Sequence, residues 1–200
     1  MNPKRHAEAC EQNRLPILGV LKPRLKGAAS LLEIGSGTGQ HAAYFAPELP
    51  HLAWHTSDLP DLLQSIRLWI EEADCANLRE PIALDVTRPE QWPIGPFDAV
   101  FSANTAHILP PDAVEAMFLG VGRLLPPGAP FLLYGPFMYH GEHTSESNWR
   151  FDRWIRAFEA HRGVRDVVWL HQLAARAGLR LDEDIEMPVN NRTLVWRAAP

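Results

Sequence analysis

Three glycines alternate over five residues, Gly35-Ser36-Gly37-Thr38-Gly39, directly after the apolar run Ser30-Leu31-Leu32-Glu33-Ile34. Glycine costs entropy inside a strand or helix and reaches backbone angles that other residues avoid, so the chain must turn there. Gln40 to Ala46 then suit a helix. A strand, a glycine-rich turn and a helix in that order bring backbone N–H groups close to a nucleotide-like ligand. The spacing here is G-x-G-x-G. A dinucleotide fingerprint counted from Gly35 wants its third glycine where the chain has Gln40; counted from Gly37 it ends on Ala42, a permitted variant. A phosphate-binding P-loop needs a lysine after its last glycine, and none follows.

Around this turn the apolar period changes repeatedly, as alternating strands and helices require. Helices are expected at Leu15 to Leu25, Asp61 to Ala73, Asp112 to Leu125, Trp149 to Phe158 and Val167 to Ala177, the last stopped by Gly178. Strands are expected at Leu52 to Thr56, Pro81 to Leu84, Phe97 to Ser102, Pro130 to Tyr134, Leu179 to Glu186 and Thr193 to Arg197. The rhythm breaks at about residues 135–163, a Gly/His/Ser-rich insertion after the fifth strand. The reading is one α/β domain over residues 1–200.

Composition narrows the function classes. Nineteen Lys+Arg against twenty-four Asp+Glu give a net charge of −5, which argues against a partner bound through its phosphates. At 46% hydrophobic and 22% charged the chain is globular. No apolar run reaches the ~20 residues of a membrane span. The first thirteen residues lack the apolar core of a secretory signal, and two cysteines make no disulfide framework, so a cytoplasmic location is expected.

Two acids stand where strands end. Asp58 lies ~20 residues past the glycines, where a carboxylate accepts from ribose hydroxyls. Asp85 closes the third strand, placed to accept from an exocyclic amine. Each acid alone also suits a cap or turn. Together with the glycines they outline an adenosine-shaped slot. Beyond the fourth strand lie Asn104, which equally suits a strand end, and His107, a candidate base or a packed histidine. Tyr134, Tyr139, His140, Glu142 and His143 crowd the insertion, which reads as a polar lid over substrate. A metal site through His140, Glu142 and His143 is disfavoured, because no second ligand cluster has zinc spacing. Ser145, Ser147 and Asn148 suit a helix cap. Phe151, Trp154 and Phe158, at i, i+3 and i+7, read as a core stripe, and Arg162 and Arg165 as solvated charges. Asn190 and Asn191 suit a turn. The candidate catalytic side chains are therefore His107, His140 and Tyr134.

The series E-I-G-S-G-T-G, a strand-end Asp, A-L-D-V and F-D-A-V-F-S-A-N resembles the motifs of class I S-adenosylmethionine-dependent methyltransferases. More narrowly, A-E-A-C-E-Q-N-R-L-P-I-L, A-N-T-A-H-I, H-T-S-E-S-N-W-R-F-D and M-P-V-N-N-R-T-L-V-W resemble the methyltransferase-like twenty-six group, a domain-of-unknown-function family. The resemblance implies a Rossmann-like, mostly parallel seven-stranded sheet of order 3-2-1-4-5-7-6 with the seventh strand antiparallel and helices on both faces. It implies S-adenosyl-L-methionine as cofactor, with Glu33, Gly35, Gly37 and Gly39 at its methionine part, Asp58 at the ribose, and Asp85 with Val86 at the adenine. Asn104 joins that set as a cofactor-binding candidate. The family pattern commonly has Arg where this chain has Gln12, with Arg14 a possible substitute. The expected activity is methyl transfer to a small molecule, with no nucleic-acid or membrane partner. The alternatives are a non-catalytic cofactor-binding or partner-binding protein on the same fold and, against Gln40 and the later motifs, a nicotinamide-dependent dehydrogenase.

Overall fold

The computed structural model describes residues 4–95 and 97–200. The first elements are α1 (Glu8–Arg24), β1 (Ser30–Ile34), α2 (Gln40–Glu48), β2 (Ala53–Asp58), α3 (Leu63–Ala73), β3 (Leu78–Ala83) and β4 (Ala99–Ala103). Then come α4 (Pro111–Leu124), β5 (Pro130–Gly135), β6 (Phe137–Tyr139), β7 (Glu142–His143) and α5 (Glu146–Phe158). The chain ends with β8 (Arg165–Asp166), α6 (Val167–Arg176), β9 (Leu179–Met187) and β10 (Asn191–Ala198). Seven strands form one sheet, ordered β3-β2-β1-β4-β5-β10-β9. Counted in chain order within that sheet, this is 3-2-1-4-5-7-6. The last strand, β10, runs antiparallel to both its neighbours. This is the Rossmann-like methyltransferase topology, with helices around the sheet.

The chain divides into two compact units, Met1–Ser102 and Ala103–Pro200. In the first, β1 lies parallel between β2 and β4, its apolar side chains Leu31, Leu32 and Ile34 buried. Phe45, Trp54 and Phe101 are fully buried, with ring centroids 5.7 to 6.1 Å apart. Each such ring contributes ~1.5–3 kcal/mol by leaving water. That rigid floor fixes where β1 and β2 end.

Two of the boundaries that differ from the sequence pattern have a visible physical cause. Helix α1 starts at Glu8, two turns before Leu15, and runs through Pro16. Its first turns are polar and carry no apolar period; Glu8 and Glu11 instead complement the helix dipole. Strand β3 starts at Leu78 and contains Pro81, which the sheet tolerates because β3 is an edge strand and its register against β2 shifts between His55 and Ser57.

In the second unit Phe118, Phe131 and Trp196 form the core, with centroids 5.2 to 5.6 Å apart. The insertion is more ordered than a loop. Its strands join a small sheet, β7-β6-β8. A two-residue hairpin, His140 (φ 53) and Gly141 (φ 81), closes β6 on β7 as a type I′ turn would. Helix α5 is capped by Ser145, whose hydroxyl accepts from Asn148 N–H at 3.1 Å. It buries Asn148, Asp152 and Ile155, so the expected core stripe is rotated outwards: Trp154 and Phe158 are 59% and 62% exposed. Asp152 explains the rotation. Its carboxylate accepts from Val164 N–H at 2.6 Å and from Arg156 Nε at 2.8 Å, and an acid so engaged keeps its face inward. Arg165 is also buried, not solvated, because its guanidinium donates to the carbonyls of Ala106 and His161, each at 2.9 Å.

Candidate functional site

In the first unit the glycine turn leaves β1 and is tied at once to the end of β2. The N–H groups of Gly35 and Ser36 both donate to Ser57 O at 3.0 Å. Gly37 N–H donates to Asp58 Oδ2 at 2.7 Å, and Leu59 N–H to Asp58 Oδ1 at 2.7 Å. Each carboxylate oxygen keeps a lone pair beyond these bonds. Burial pushes the Asp58 carboxyl up, against the bonds from Gly37 and Leu59 and the charge of Arg5.

The glycines divide the work. Gly37 sits at φ 57, and a Cβ built there would meet no atom within 4 Å, so the space beside its Cα is open while its N–H is held by Asp58. Gly39, at φ 96, serves packing: a Cβ there would stand 2.9 Å from Ile66 Cα and 3.2 Å from Trp69 Cβ on α3. Gly35 begins the turn at φ 72.

Glu33 is 1% exposed. Its Oε2 accepts from Ser36 Oγ at 2.9 Å and from Trp54 Nε1 at 3.0 Å. Burial pushes its carboxyl up to about 7, with the two hydrogen bonds pulling down and the charge of Asp58 adding to the rise. It is a brace beneath the turn.

Asp85 follows β3 on a more open surface. Its Oδ1 accepts from Thr87 Oγ1 at 2.6 Å and Thr87 N–H at 3.0 Å, which hold its carboxyl below the usual range. Val86 is buried, and its carbonyl accepts from Trp92 Nε1 at 3.1 Å. Leu84 N–H donates to Asp58 O at 3.0 Å, joining the two strand ends.

In the second unit Asn104 follows β4 at φ 57, and its N–H donates to Tyr134 O at 2.9 Å. A Cβ on Gly135 would stand 3.8 Å from His107 Nδ1 and 3.9 Å from Asn104 Oδ1, so both side chains converge on the end of β5. His107 is 7% exposed, with its ring edge-on to Phe151 at 5.2 Å. Burial, then the charges of Arg165 and Arg162, push its imidazole down to about 4. The base near neutrality that its position suggested is therefore a weak one here. Tyr134 is 3% exposed, inside β5 opposite Thr193. His140 stands exposed at the hairpin tip, apart from the convergence of Asn104 and His107. Among the described residues no group of three or more His, Cys, Asp or Glu is placed to hold a metal ion.

The sequence reading missed the bracket around the turn. Gln40, counted against a dinucleotide, accepts at Oε1 from Ala7 N–H (2.6 Å) and Thr38 Oγ1 (3.1 Å) and donates to Glu11 (3.0 Å). Arg14 pairs with Glu11 at 2.6 Å and lies over the Tyr44 ring. Cys10 Sγ is 4.0 Å from His41 Nδ1, and burial pushes its thiol up to about 11, away from the thiolate form that a nucleophile needs.

The fold and the turn together define a protein of methyltransferase architecture. The chain belongs to the family described as "Protein of unknown function (DUF938)", whose model matches residues 4–198. Its fold is similar to an O-methyltransferase family protein from Burkholderia thailandensis, at 17% identity and a TM-score of 0.84, covering 96% of this chain and 58% of that one. It is also similar to human N-acetylserotonin methyltransferase in complex with SAM, at 14% identity and a TM-score of 0.77, covering 96% and 53%. The SAH-bound form of CalO1, a methyltransferase in calicheamicin biosynthesis, matches at 17% identity and a TM-score of 0.72, covering 93% and 54%. The chain thus spans between half and three-fifths of these chains' lengths. No helix among the described residues is long and apolar enough to cross a membrane.

Proposed function

We propose that this chain is an S-adenosyl-L-methionine-dependent methyltransferase that acts on a small molecule, built as one domain with an insertion after the fifth strand of its main sheet. The observation that carries the reading is the clasp of Asp58 on Gly37. It sets a half-buried carboxylate with spare lone pairs beside a backbone turn that leaves open space at Gly37. That pairing fits a nucleoside whose ribose offers two hydroxyl donors. The resemblance of the later segments to the methyltransferase-like twenty-six group and the SAM- and SAH-bound methyltransferases of similar fold support the same cofactor.

When bound, the cofactor supplies an electrophilic methyl group on a sulfonium. The protein's part is alignment and exclusion of water. Asp58 holds the ribose, the turn at Gly35, Gly37 and Gly39 receives the methionine part above the Glu33 brace, and Asp85 with Val86 borders the adenine. Asn104, in the second unit, is a further cofactor-side candidate. His107, neutral at pH 7 and weakly basic, hydrogen-bonds an acceptor better than it deprotonates one. His140 and Tyr134 are further acceptor-side candidates. An acceptor already nucleophilic at neutral pH suits these residues best. The net charge of −5 supports a small acceptor over a nucleic acid, and a cytoplasmic location is part of this proposal.

Incubation with S-adenosylmethionine and a fractionated metabolite extract, read by mass spectrometry, tests the activity. Extract-dependent S-adenosylhomocysteine with a matching product 14 mass units heavier than its precursor is expected, the mass of one CH2. Cofactor binding without turnover in any fraction would leave a binding protein instead.

A further inference from the structure

Residues 4–7 lie across α2 and α3, and their backbone is pinned there. Arg5 N–H donates to Ser65 Oγ at 2.9 Å, and Arg5 O accepts from Trp69 Nε1 at 2.9 Å. Ala7 N–H donates to Gln40 Oε1 at 2.6 Å, and the Lys4 ammonium sits 3.7 Å over the Trp69 ring. The anchors on the other side belong to the turn itself. Ser65 Oγ donates to Thr38 O at 2.9 Å, and Gln40 Oε1 accepts from Thr38 Oγ1 at 3.1 Å. Ser65 and Gln40 therefore hold the N-terminal segment and the glycine turn at once.

Arg5 is the residue this arrangement presents. Both its backbone groups are bonded while its side chain is exposed. Among the described residues its guanidinium makes no hydrogen bond or ion pair, yet it is near enough to Asp58 to draw that carboxyl downwards. A guanidinium with no hydrogen-bond partner, carried on a pinned backbone beside the glycine turn, is available to pair with an anion there. The adenosine and sulfonium parts of the proposed cofactor carry no anion. Its single anionic group is the carboxylate of the amino-acid end.

We infer that the segment Lys4–Ala7 is a wall of the cofactor cradle and that Arg5 binds the cofactor's carboxylate. This rests on the cofactor proposed above. A guanidinium–carboxylate pair is directional and charge-assisted, and its loss is expected to weaken binding at least about tenfold. Arg5 is exposed, so its substitution leaves the fold intact.

Calorimetric titration of the wild-type chain, Arg5→Ala and Arg5→Lys with two probes separates the possibilities. S-adenosylhomocysteine carries the carboxylate; 5′-methylthioadenosine shares the nucleoside and sulfur but lacks the amino-acid end. The expected result is a loss of at least about tenfold for S-adenosylhomocysteine in Arg5→Ala, a smaller loss in Arg5→Lys, and unchanged affinity for methylthioadenosine in all three. Unchanged S-adenosylhomocysteine affinity in Arg5→Ala, or an equal loss for both probes, would overturn the carboxylate assignment and leave the cofactor standing. Failure of the wild-type chain to bind either probe would overturn both.

Discussion

Asp58 Oδ2 accepts the Gly37 N–H at 2.7 Å, so one carboxylate at the end of β2 both shapes the glycine turn and faces the space beside it. Asp58→Ala is expected to weaken S-adenosylhomocysteine binding by about 1–3 kcal/mol, through the lost ribose contact and a loosened turn. Asp58→Asn keeps an acceptor oxygen and should lose less. Titration calorimetry of both variants checks the order, and unchanged affinity in folded Asp58→Ala would remove the ribose role.

Gly37 and Gly39 should separate when each gains a side chain. Gly37→Val places its branches in the open space over the turn and forces a β-branched residue to φ 57, at a cost of about 1–2 kcal/mol. Cofactor binding should be lost while the fold survives. Gly39→Ala instead drives a Cβ to 2.9 Å from Ile66 Cα, and should destabilise by about 1–3 kcal/mol through forced separation of α2 and α3. Thermal denaturation beside calorimetry distinguishes a binding defect from a packing defect.

Glu33 makes stability depend on pH in a defined window. Its folded carboxyl, pushed by burial to about 7, holds its proton more tightly than the unfolded chain does at the ordinary 4.5. The contribution is full below pH 4.5 and is lost as pH rises through about 7. Glu33→Gln keeps an oxygen to accept from Trp54 and Ser36 without the titration. Urea denaturation between pH 4 and 8 should show a wild-type decline across that window that the variant lacks.

His107 behaves in the opposite sense. With its imidazole at about 4 in the folded protein and 6.5 ordinarily, its contribution is full above pH 6.5 and is lost as pH falls through about 4. His107→Phe, which keeps an aromatic edge against Phe151, should lessen the acid-side loss in urea denaturation. His41, also held to about 4 by burial, keeps part of that loss in the variant. For the same reason the pH–rate profile of turnover should show no inflection near 6.5 from His107; a limb there that disappears in His107→Phe would restore it as a working base.

Much of this fold is legible because it is written in short apolar runs. Ser30–Ile34, Ala99–Ala103 and Pro130–Gly135 are strands whose side chains are almost wholly buried, and their order around one glycine turn dictates a parallel sheet. Elements that make their contacts with polar groups are harder to read. The first turns of α1 hold on through Glu11 to Gln40 and Asn13 to His41, with no apolar period to announce them. The two- and three-residue strands of the insertion are too short for any period, and only Gly141 marks their turn. Val189 at φ 59 runs against its residue type; the Pro188–Asn190 turn is secured by Asn148, whose Nδ2 donates to Asn190 O at 2.9 Å. In the candidate site, strand-end acids and glycines stand out in one dimension. Arg5 does not, because what marks it is a backbone bonded to Ser65 and Trp69, some sixty residues away.

The most direct measurement is calorimetric titration of the wild-type chain with S-adenosylhomocysteine at neutral pH. One saturable site per chain, weakened in Asp58→Ala and abolished in Gly37→Val, is expected. Absence of heat with ligand carried to millimolar concentration would contradict the assignment of the turn between β1 and α2 as a nucleoside cradle.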